Sequence, residues 1–291
     1  MNKRFFIFQK AINLFKNFIP YNICIINDSV VDVYRSAKTN SERVTQTLLC
    51  QEVNIEREIL GWTKVEVVDG YIGWVKSDKI YKTINNPLPT KVVIKSKMKS
   101  IFSAMNGTSI IKEITLGTEL PVIEKINNWY KVDLTMNRIG WLEDTDTLET
   151  ASGTHILKTT GIDFVDTAKK FLGVPYLWGG VSAWGIDCSG LTYICCRVNG
   201  VDLPRDAQPQ YYSISTSINP NPSDMKPGDL LFFSSKPDSK KYLNLISHVG
   251  IYIGNNDFIH ASGSIGSVTI TSLSDEYFTK RLVGVKRVFE N

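Results

Sequence analysis

The sequence predicts a multidomain chain with two small all-β barrels followed by an α+β domain. Three observations support this fold class. The first half repeats one strand-rich pattern at a constant offset of 67 residues. The second half contains an apolar helical segment that begins near a cysteine, directly after a glycine-rich turn. Several strand-like runs follow that helix, and two of them each carry one histidine.

The composition limits the number of domains and the class of partner. A chain of 291 residues is long for one compact domain, so two or three domains are expected. The net charge of +4 is slight, and no Lys/Arg block is interleaved with aromatic residues, so no nucleic-acid partner is expected. The five cysteines are irregularly spaced without a Cys-x-x-Cys pair, which predicts reduced thiols, a cytoplasmic location, no metal and no cofactor.

The N-terminus begins basic and apolar, as a secretory signal does. Gln9, Lys10, Asn13 and Lys16 then interrupt the apolar run, and no small-residue cleavage site follows. The remaining apolar positions share one helical face, so we expect an N-terminal amphipathic helix within residues 1–27 that packs on the protein. No later run approaches the length needed for a stable membrane span.

The repeat in the first half predicts two copies of one barrel. Trp62 and Trp74 in the first copy align with Trp129 and Trp141 in the second. Short runs rich in Val, Ile and aromatic residues, separated by turn residues, are typical of strands in small barrels. The Trp-x-x-Val strand, turn and Gly-Trp strand resemble bacterial SH3-like domains. We expect these ranges: first barrel 28–82, linker 83–92, second barrel 93–148 and linker 149–160.

The second half begins with two predicted helices. Residues 163–172 fit a helix with one apolar face, which Gly173-Val174-Pro175 ends. Apolar positions between 191 and 198 follow helical spacing, and Asn199-Gly200 gives a C-terminal stop. Asp187 or Cys188 therefore lies at the N-terminus of the second helix. Free backbone N–H groups and the helix dipole there favour a thiolate, the nucleophilic form of cysteine.

Two histidines follow on predicted strands. His248 lies in the run 247–253 and His260 in the run 258–261, whereas His155, the third histidine, lies in the linker. One cysteine with two histidines permits a nucleophile, a general base and a group that orients the base.

The motifs of the C-terminal domain, residues 161–291, resemble those of papain-like NlpC-type cysteine peptidases of bacterial cell-wall metabolism. The matching motifs are Pro-Tyr-x-Trp-Gly-Gly at 175–180, Asp-Cys-Ser-Gly at 187–190, Pro-Gly-Asp-Leu-Leu-Phe-Phe at 227–233, Ser-His-Val-Gly-Ile-Tyr-Ile-Gly at 247–254 and Ile-His-Ala-Ser at 259–262. In this order they are highly specific. The resemblance implies a papain-like α+β fold with peptidase activity.

Catalytic roles follow from the matched positions and from their chemistry. Cys188 is expected to attack the scissile amide carbonyl, and His248 to hold the thiolate as an imidazolium before it protonates the leaving amine. His260 is expected to hydrogen-bond the far ring nitrogen of His248. The resemblance implies that the hydroxyl of Tyr176 helps the backbone N–H of Cys188 to stabilise the oxyanion.

The hairpin between the two histidines tests this assignment. Side chains alternate faces along a strand, so a plain two-residue loop at Asn255-Asn256 puts His248 and His260 on opposite faces. A three- or five-residue loop or a bulge puts them on one face, offset diagonally. We therefore expect an odd loop or a β-bulge near residues 254–257.

Two SH3-like barrels before an NlpC-type domain resemble the γ-D-glutamyl-L-diamino acid endopeptidases that recycle muropeptides. The resemblance implies a substrate such as L-Ala-γ-D-Glu-L-Lys, or its diaminopimelate form, with a free N-terminal alanine. Asp187, Glu42 and Tyr71 are expected to bind the ammonium group of that alanine. Ser189, Arg205 and Asp206 are expected to line the D-glutamate side.

Two other functions fit the same motifs. A secreted peptidoglycan hydrolase could use its barrels to bind the intact wall, although the interrupted N-terminal segment argues against secretion. A catalytically silent wall-fragment binding protein is the other alternative, although binding alone would not need the Cys/His set. Cleavage of free and N-capped peptides distinguishes the three functions.

Overall fold

The computed structural model describes residues 21–85, 88–134, 138–237 and 245–290. These residues form three units that pack on one another. The first β-unit comprises residues 21–85, the second β-unit residues 88–151, and the C-terminal unit residues 161–290. Within these described ranges, no helix is both long and apolar enough to cross a membrane.

The first β-unit is a seven-stranded antiparallel sheet curled around its own apolar core. Its strands are β1 (Tyr21–Ile26), β2 (Val30–Tyr34), β3 (Arg43–Leu48), β4 (Glu52–Ile59), β5 (Trp62–Glu66), β6 (Ile72–Lys76) and β7 (Ile80–Asn85), with a 3-10 turn at Ser77–Lys79. The strand order is β3-β2-β6-β5-β4-β1-β7. Alternate residues such as Val31 and Val33 point inward, as the period of a half-buried strand requires.

The second β-unit has an equivalent strand order, β10-β9-β13-β12-β11-β8-β14. Its strands are β8 (Thr90–Ile94), β9 (Met98–Phe102), β10 (Ile110–Thr115), β11 (Glu119–Ile126), β12 (Trp129–Asp133), β13 (Ile139–Glu143) and β14 (Thr147–Ala151). Five strands start 67 residues after their counterparts, including β4 at Glu52 with β11 at Glu119. The sequence repeat therefore corresponds to a structural repeat.

The domain boundaries differ from those expected from the sequence. Residues 21–26, which we assigned to an N-terminal helix within 1–27, form β1 instead. This strand pairs with both β4 and β7, and Ile25 and Ile26 are buried in the unit. These residues complete the sheet, so the helix cannot extend to residue 27 as expected. The rest of the expected helix, residues 1–20, lies outside the described residues.

The linkers are shorter than expected for the same reason. Strand β7 extends to Asn85 and β8 begins at Thr90, so most of the expected linker 83–92 is strand. Strand β14 likewise extends to Ala151, inside the expected linker 149–160. In both cases the ends of the repeat pair with each other: β1 pairs with β7, and β8 pairs with β14.

The C-terminal unit places its helices before most of its strands, in the expected α+β order. The helices are α1 (Gly161–Lys169), α2 (Cys188–Val198), α3 (Ala207–Ser213) and α4 (Glu276–Thr279). The strands are β15 (Val181–Ser182), β16 (Gly185–Ile186), β17 (Ser217–Ile218), β18 (Leu230–Ser234), β19 (Ile246–Gly254), β20 (Asp257–Ser262), β21 (Ser267–Ser272) and β22 (Leu282–Lys286). Six of them form one sheet of order β17-β22-β18-β19-β20-β21, on which α2 packs.

Helix boundaries in this unit have local causes. Thr160 caps α1 by accepting a hydrogen bond from the backbone N–H of Asp163, whose carboxylate accepts one from the backbone N–H of Thr160 in return. Phe164, Val165 and Ala168 form the buried face of α1. Asn199 ends α2, and Gly200 follows with a φ of 83°, a left-handed conformation that favours glycine.

The three units share one main hydrophobic core. Leu48 of the first β-unit and Val93 and Leu116 of the second belong to the same buried cluster as residues of α1, α2 and the large sheet. Hydrogen bonds reinforce this contact, among them Lys95 Nζ to the Val198 carbonyl at 2.6 Å and Val181 N–H to Gln46 Oε1 at 3.1 Å. Both β-units therefore form part of the framework around α2.

Candidate active site

Cys188 is the first residue of α2, as the sequence predicts. Asp187 is the N-cap residue, and its carboxylate accepts a hydrogen bond of 2.7 Å from the backbone N–H of Gly190. A Cβ atom at position 190 would lie 2.1 Å from the carbonyl oxygen of Gly180, so only glycine fits there. The Asp-Cys-Ser-Gly sequence thus combines a cap, the candidate nucleophile and a close approach between backbones.

His248 and His260 come together on neighbouring strands. The distance between His248 Nε2 and His260 Nδ1 is 2.8 Å. Strands β19 and β20 are joined by Asn255 and Asn256, both with positive φ, and the pairing shifts at a bulge between Tyr252 and Gly254. The expected bulge is therefore confirmed. It puts both histidines on one face of the sheet, offset diagonally.

The cysteine adjoins the strand of the first histidine. Helix α2 packs on β19, and the backbone N–H groups of Val249 and Ser189 act as hydrogen-bond donors to the Cys188 sulfur. Val249 directly follows His248. Because Nε2 of His248 is bonded to His260, Nδ1 is the ring nitrogen of His248 that is left to exchange a proton with the thiol.

Burial sets the protonation states of these three groups. Burial, with the neighbouring Asp187 carboxylate, raises the pKa of the Cys188 thiol to about 12. Burial lowers the pKa of His248 to about 4. Burial and the adjacent His248 lower the pKa of His260 to about 3. Burial therefore favours a neutral thiol beside neutral imidazoles, and it opposes the helix dipole that favours the expected thiolate.

Asp187, Ser189 and Arg205 lie together beneath the N-terminus of α2. All three are buried, with 6%, 6% and 3% of their surfaces exposed, respectively. Arg205 Nη2 forms an ion pair of 2.7 Å with Asp187 Oδ2, and Arg205 Nη1 bonds to Ser189 Oγ at 3.0 Å. These bonds hold the turn that carries Cys188, and the substrate contacts expected of the three residues stay a prediction.

Tyr176 lies in the loop that precedes the helix. Its backbone N–H bonds to the Gly266 carbonyl at 2.8 Å, and a Cβ atom at position 263 would lie 3.5 Å from its ring, which shows how closely Gly263 approaches. Burial and the nearby Cys188 and Asp187 raise the pKa of Tyr176. Its hydroxyl is therefore held as a neutral hydrogen-bond donor near the nucleophile, and the oxyanion role expected for it stays a prediction.

The first β-unit contacts the C-terminal unit through exposed polar groups. Trp178 Nε1 donates a hydrogen bond of 3.1 Å to Glu42 Oε1, and the Tyr71 hydroxyl donates a short hydrogen bond to Asp206 Oδ2. Arg35 forms an ion pair of 2.6 Å with Glu42. We refer to Glu42, Tyr71 and Asp206 as the acidic rim. Of the expected substrate-binding residues, these three keep exposed or half-buried positions.

Several residues that hold this region together were missed by sequence reasoning. Thr45, Gln46 and Arg43 of β3 reach the C-terminal unit, with Arg43 Nη1 bonding to the Trp178 carbonyl at 3.0 Å. Thr271 of β21 bonds to His260 at 3.0 Å. A polar residue on a predicted strand can face solvent or another domain, and the sequence contains no signal that distinguishes the two.

Two family profiles match parts of the chain. The NlpC/P60 family matches residues 173–287, which include the cysteine and both strand histidines. The bacterial dipeptidyl-peptidase Sh3 domain matches residues 33–80, most of the first β-unit.

The chain is also similar to characterised and solved proteins over most of its length. It is 33% identical to a gamma-D-glutamyl-L-lysine dipeptidyl-peptidase of Bacillus subtilis over 254 residues, which cover 84% of this chain and 81% of that protein. It is 30% identical to a protein of the same name from Bacillus cereus, covering 86% and 76% respectively. The crystal structure of an NlpC/P60 family protein from Bacillus cereus superposes with a TM-score of 0.81 at 23% identity, covering 93% of this chain and 100% of that one. That structure shows that the three-unit fold recurs.

Proposed function

Because the chain belongs to the NlpC/P60 family and is a cysteine peptidase, we propose that it hydrolyses the γ-D-glutamyl-L-diamino acid bond of muropeptides with a free N-terminal L-alanine. One observation carries this proposal. The cysteine at the start of α2 and the histidine pair lie in a region that the first β-unit contacts through the acidic rim. The names of the relatives from two Bacillus species support the same bond specificity.

The proposed reaction begins with Cys188 as a neutral thiol and His248 as a neutral imidazole. The Cys188 sulfur attacks the γ-carbonyl carbon of D-glutamate while Nδ1 of His248 takes the thiol proton. The amide C–N bond then breaks, and the same proton passes from His248 to the departing α-amine of the diamino acid. Water hydrolyses the resulting thioester, giving one proton back through His248 to the Cys188 sulfur. His248 thus acts as a general base toward the thiol in the first half and toward water in the second.

The negative charge of the tetrahedral intermediate needs hydrogen-bond donors. The backbone N–H of Cys188 lies in the first turn of α2, where N–H groups lack partners within the helix. The Tyr176 hydroxyl lies close enough to the thiol to share an electrostatic interaction with it. We assign both groups to the oxyanion site.

The acidic rim supports selection of a free amine. Glu42 and Asp206 carry two carboxylates, and Tyr71 adds a hydroxyl between the units. An alanine ammonium group would offset this negative charge, whereas an N-capped peptide would leave carboxylates desolvated without a cation. Arg35 balances only one of the two carboxylates directly.

We also propose the finer description of the fold and the location. Both β-units are SH3-like barrels, which the equivalent strand orders support. The C-terminal unit is papain-like, which its nucleophile helix packed on an antiparallel sheet supports. Among the described residues all five cysteines are free thiols, which supports action in the reducing cytoplasm on recycled peptides.

One assay tests the function. Purified wild type, Cys188→Ala and the control Cys24→Ala are given L-Ala-γ-D-Glu-L-Lys, its diaminopimelate form and the N-acetylated versions. We expect wild type and Cys24→Ala to release L-Ala-D-Glu from the free peptides only, and Cys188→Ala to release none. Cleavage of capped and free peptides alike would favour the wall-hydrolase alternative, and no cleavage by wild type would favour the binding protein.

A further inference from the structure

The hydrogen bonds of the histidine pair continue to a third strand. His248 on β19, His260 on β20 and Thr271 on β21 lie diagonally across three neighbouring strands. The bond between the histidines is 2.8 Å, and His260 Nε2 lies 3.0 Å from Thr271 Oγ1. His260 is opposite Thr269 in the register of β20 and β21, so Thr271 is its diagonal neighbour on the same face.

The direction of donation along these hydrogen bonds decides whether His248 can act as the general base. In a neutral imidazole one nitrogen donates and the other accepts. To take a proton from Cys188 at Nδ1, His248 must carry its own proton on Nε2 and donate it to His260 Nδ1. His260 must then carry its proton on Nε2, and that proton needs an acceptor. The Thr271 hydroxyl oxygen is the acceptor within hydrogen-bonding distance.

We propose that Thr271 is a positioning residue, which fixes the tautomers of both histidines by accepting the Nε2 proton of His260. The proposal rests on the proposed peptidase function. Without this acceptor, His260 would place its proton on Nδ1, donate to His248 and leave His248 with a proton facing the thiol. That tautomer cannot act as a base toward Cys188.

The surroundings of His260 offer few other hydrogen-bond acceptors that could replace the Thr271 hydroxyl. The histidine is 1% exposed, and its ring packs against Phe258 at 4.7 Å and Phe278 at 5.3 Å between ring centroids. Aromatic rings are poor acceptors for a ring N–H compared with a hydroxyl oxygen. When His248 becomes an imidazolium during the reaction, its Nε2 proton is still donated to His260. The same chain of bonds therefore stabilises the charged intermediate.

An isosteric pair of variants tests the proposal kinetically. Thr271→Val keeps the shape and strand preference of threonine but removes the acceptor, and Thr271→Ser keeps the acceptor. We expect Thr271→Val to lower kcat on L-Ala-γ-D-Glu-L-Lys about tenfold with little change in KM, as loss of one hydrogen bond in a catalytic chain predicts. Thr271→Ser should stay within about twofold of wild type, because it keeps that hydrogen bond. Equal losses in both variants, or none in Thr271→Val, would overturn the proposal.

Nitrogen-15 NMR provides a readout that does not need activity. The chain has only three histidines, so the ring signals of uniformly labelled protein can be assigned with His155→Gln and His260→Gln variants. We expect His248 and His260 of wild type to carry their protons on Nε2, and Thr271→Val to populate the Nδ1–H form of His260. A wild-type His260 protonated on Nδ1 refutes the proposal even if no variant folds. Expected tautomers in a protein that cleaves no peptide would instead refute the peptidase function alone.

Discussion

The two β-units have equivalent strand orders but serve different purposes. In the first unit, Glu42 and Tyr71 face the region around α2. At the equivalent positions, 67 residues later, the second unit has Ser109 and Arg138, both exposed. The shared fold thus supplies two copies of a framework, and only the loop residues of one copy join the candidate active site. The repeat thus accounts for the shared structure, and the proposed specificity is assigned to individual loop positions.

One turn, present in both β-units, makes a different contact in each of them. Leu49 and Cys50 of the first unit pack into the core of the second unit. Their equivalents, Leu116 and Gly117, pack instead against the C-terminal unit, where Gly117 meets Ile194. The same turn therefore joins each unit to the next one along the chain. In this arrangement the second unit packs against α2, and the first unit contributes Glu42 and Tyr71 to the acidic rim.

The largest expected effect comes from exchanging the loop residues between the units. The double variant Glu42→Ser, Tyr71→Arg gives the first unit the residues of the second. We expect kcat/KM for L-Ala-γ-D-Glu-L-Lys to fall about 100-fold, because one carboxylate is lost and a cation is added beside the substrate ammonium. Steady-state hydrolysis measures the loss.

The matched control makes the reverse exchange in the second unit. Ser109→Glu with Arg138→Tyr should leave kcat/KM within about twofold of wild type, since both positions are exposed on the second unit and exposed substitutions usually have small effects. Equal losses from the two exchanges would contradict the division of roles between the units.

A smaller effect is expected where the second unit supports α2. Gly117 has a φ of 86°, and a Cβ atom there would lie 2.4 Å from Ile194 Cδ1. We expect Gly117→Ala to lower the free energy of unfolding by about 2 kcal/mol, through both backbone strain and crowding. Urea unfolding monitored by tryptophan fluorescence measures this change.

Gly107→Ala separates strain from crowding. Gly107 also has a positive φ, 66°, but a Cβ atom there would make an ordinary contact of 3.6 Å with Trp129. We expect a loss of about 1 kcal/mol from strain alone. If Gly117→Ala were no more destabilising than Gly107→Ala, the contact of the second unit with α2 would not be the tight one described above.

A separate effect concerns acid stability, and it is expected from the C-terminal unit, where His248 and His260 lie. The pKa values of His248 and His260, about 4 and about 3, lie below the ordinary value of 6.5. As the pH falls below 6.5, both histidines bind protons in the unfolded chain but stay neutral in the folded site. The free energy of unfolding therefore declines toward pH 4. The slope of unfolding free energy against pH should be reduced in His260→Gln. An unchanged slope would show that these histidines are not held neutral.

Much of this architecture could be predicted from the sequence because it is local or periodic. The repeat was visible as paired tryptophans, and the start of α2 as a cysteine before an apolar helical face. Even the bulge near Gly254 followed from the requirement that two histidines share a face. Alternation along strands and spacing along helices are properties of the chain that need no tertiary information.

Other features depend on contacts between distant residues. Asp187 and Arg205 are separated by a helix and a loop, so their buried ion pair could not be predicted from either residue alone. Strand β1 was mistaken for part of a helix because its pairing partners, β4 and β7, come later in the chain. The raised pKa of Cys188 arises from burial, which the position of a residue in a helix does not reveal.

Intact-protein mass spectrometry tests the central claim, covalent catalysis by Cys188 on the γ-glutamyl bond, most directly. Wild type mixed with L-Ala-γ-D-Glu-L-Lys is quenched in acid within the first turnover, and peptide mapping locates any adduct. The account predicts one L-Ala-D-Glu acyl group on Cys188 in wild type and none in Cys188→Ala. Product release by wild type without any adduct, together with retained activity in Cys188→Ala, would contradict it.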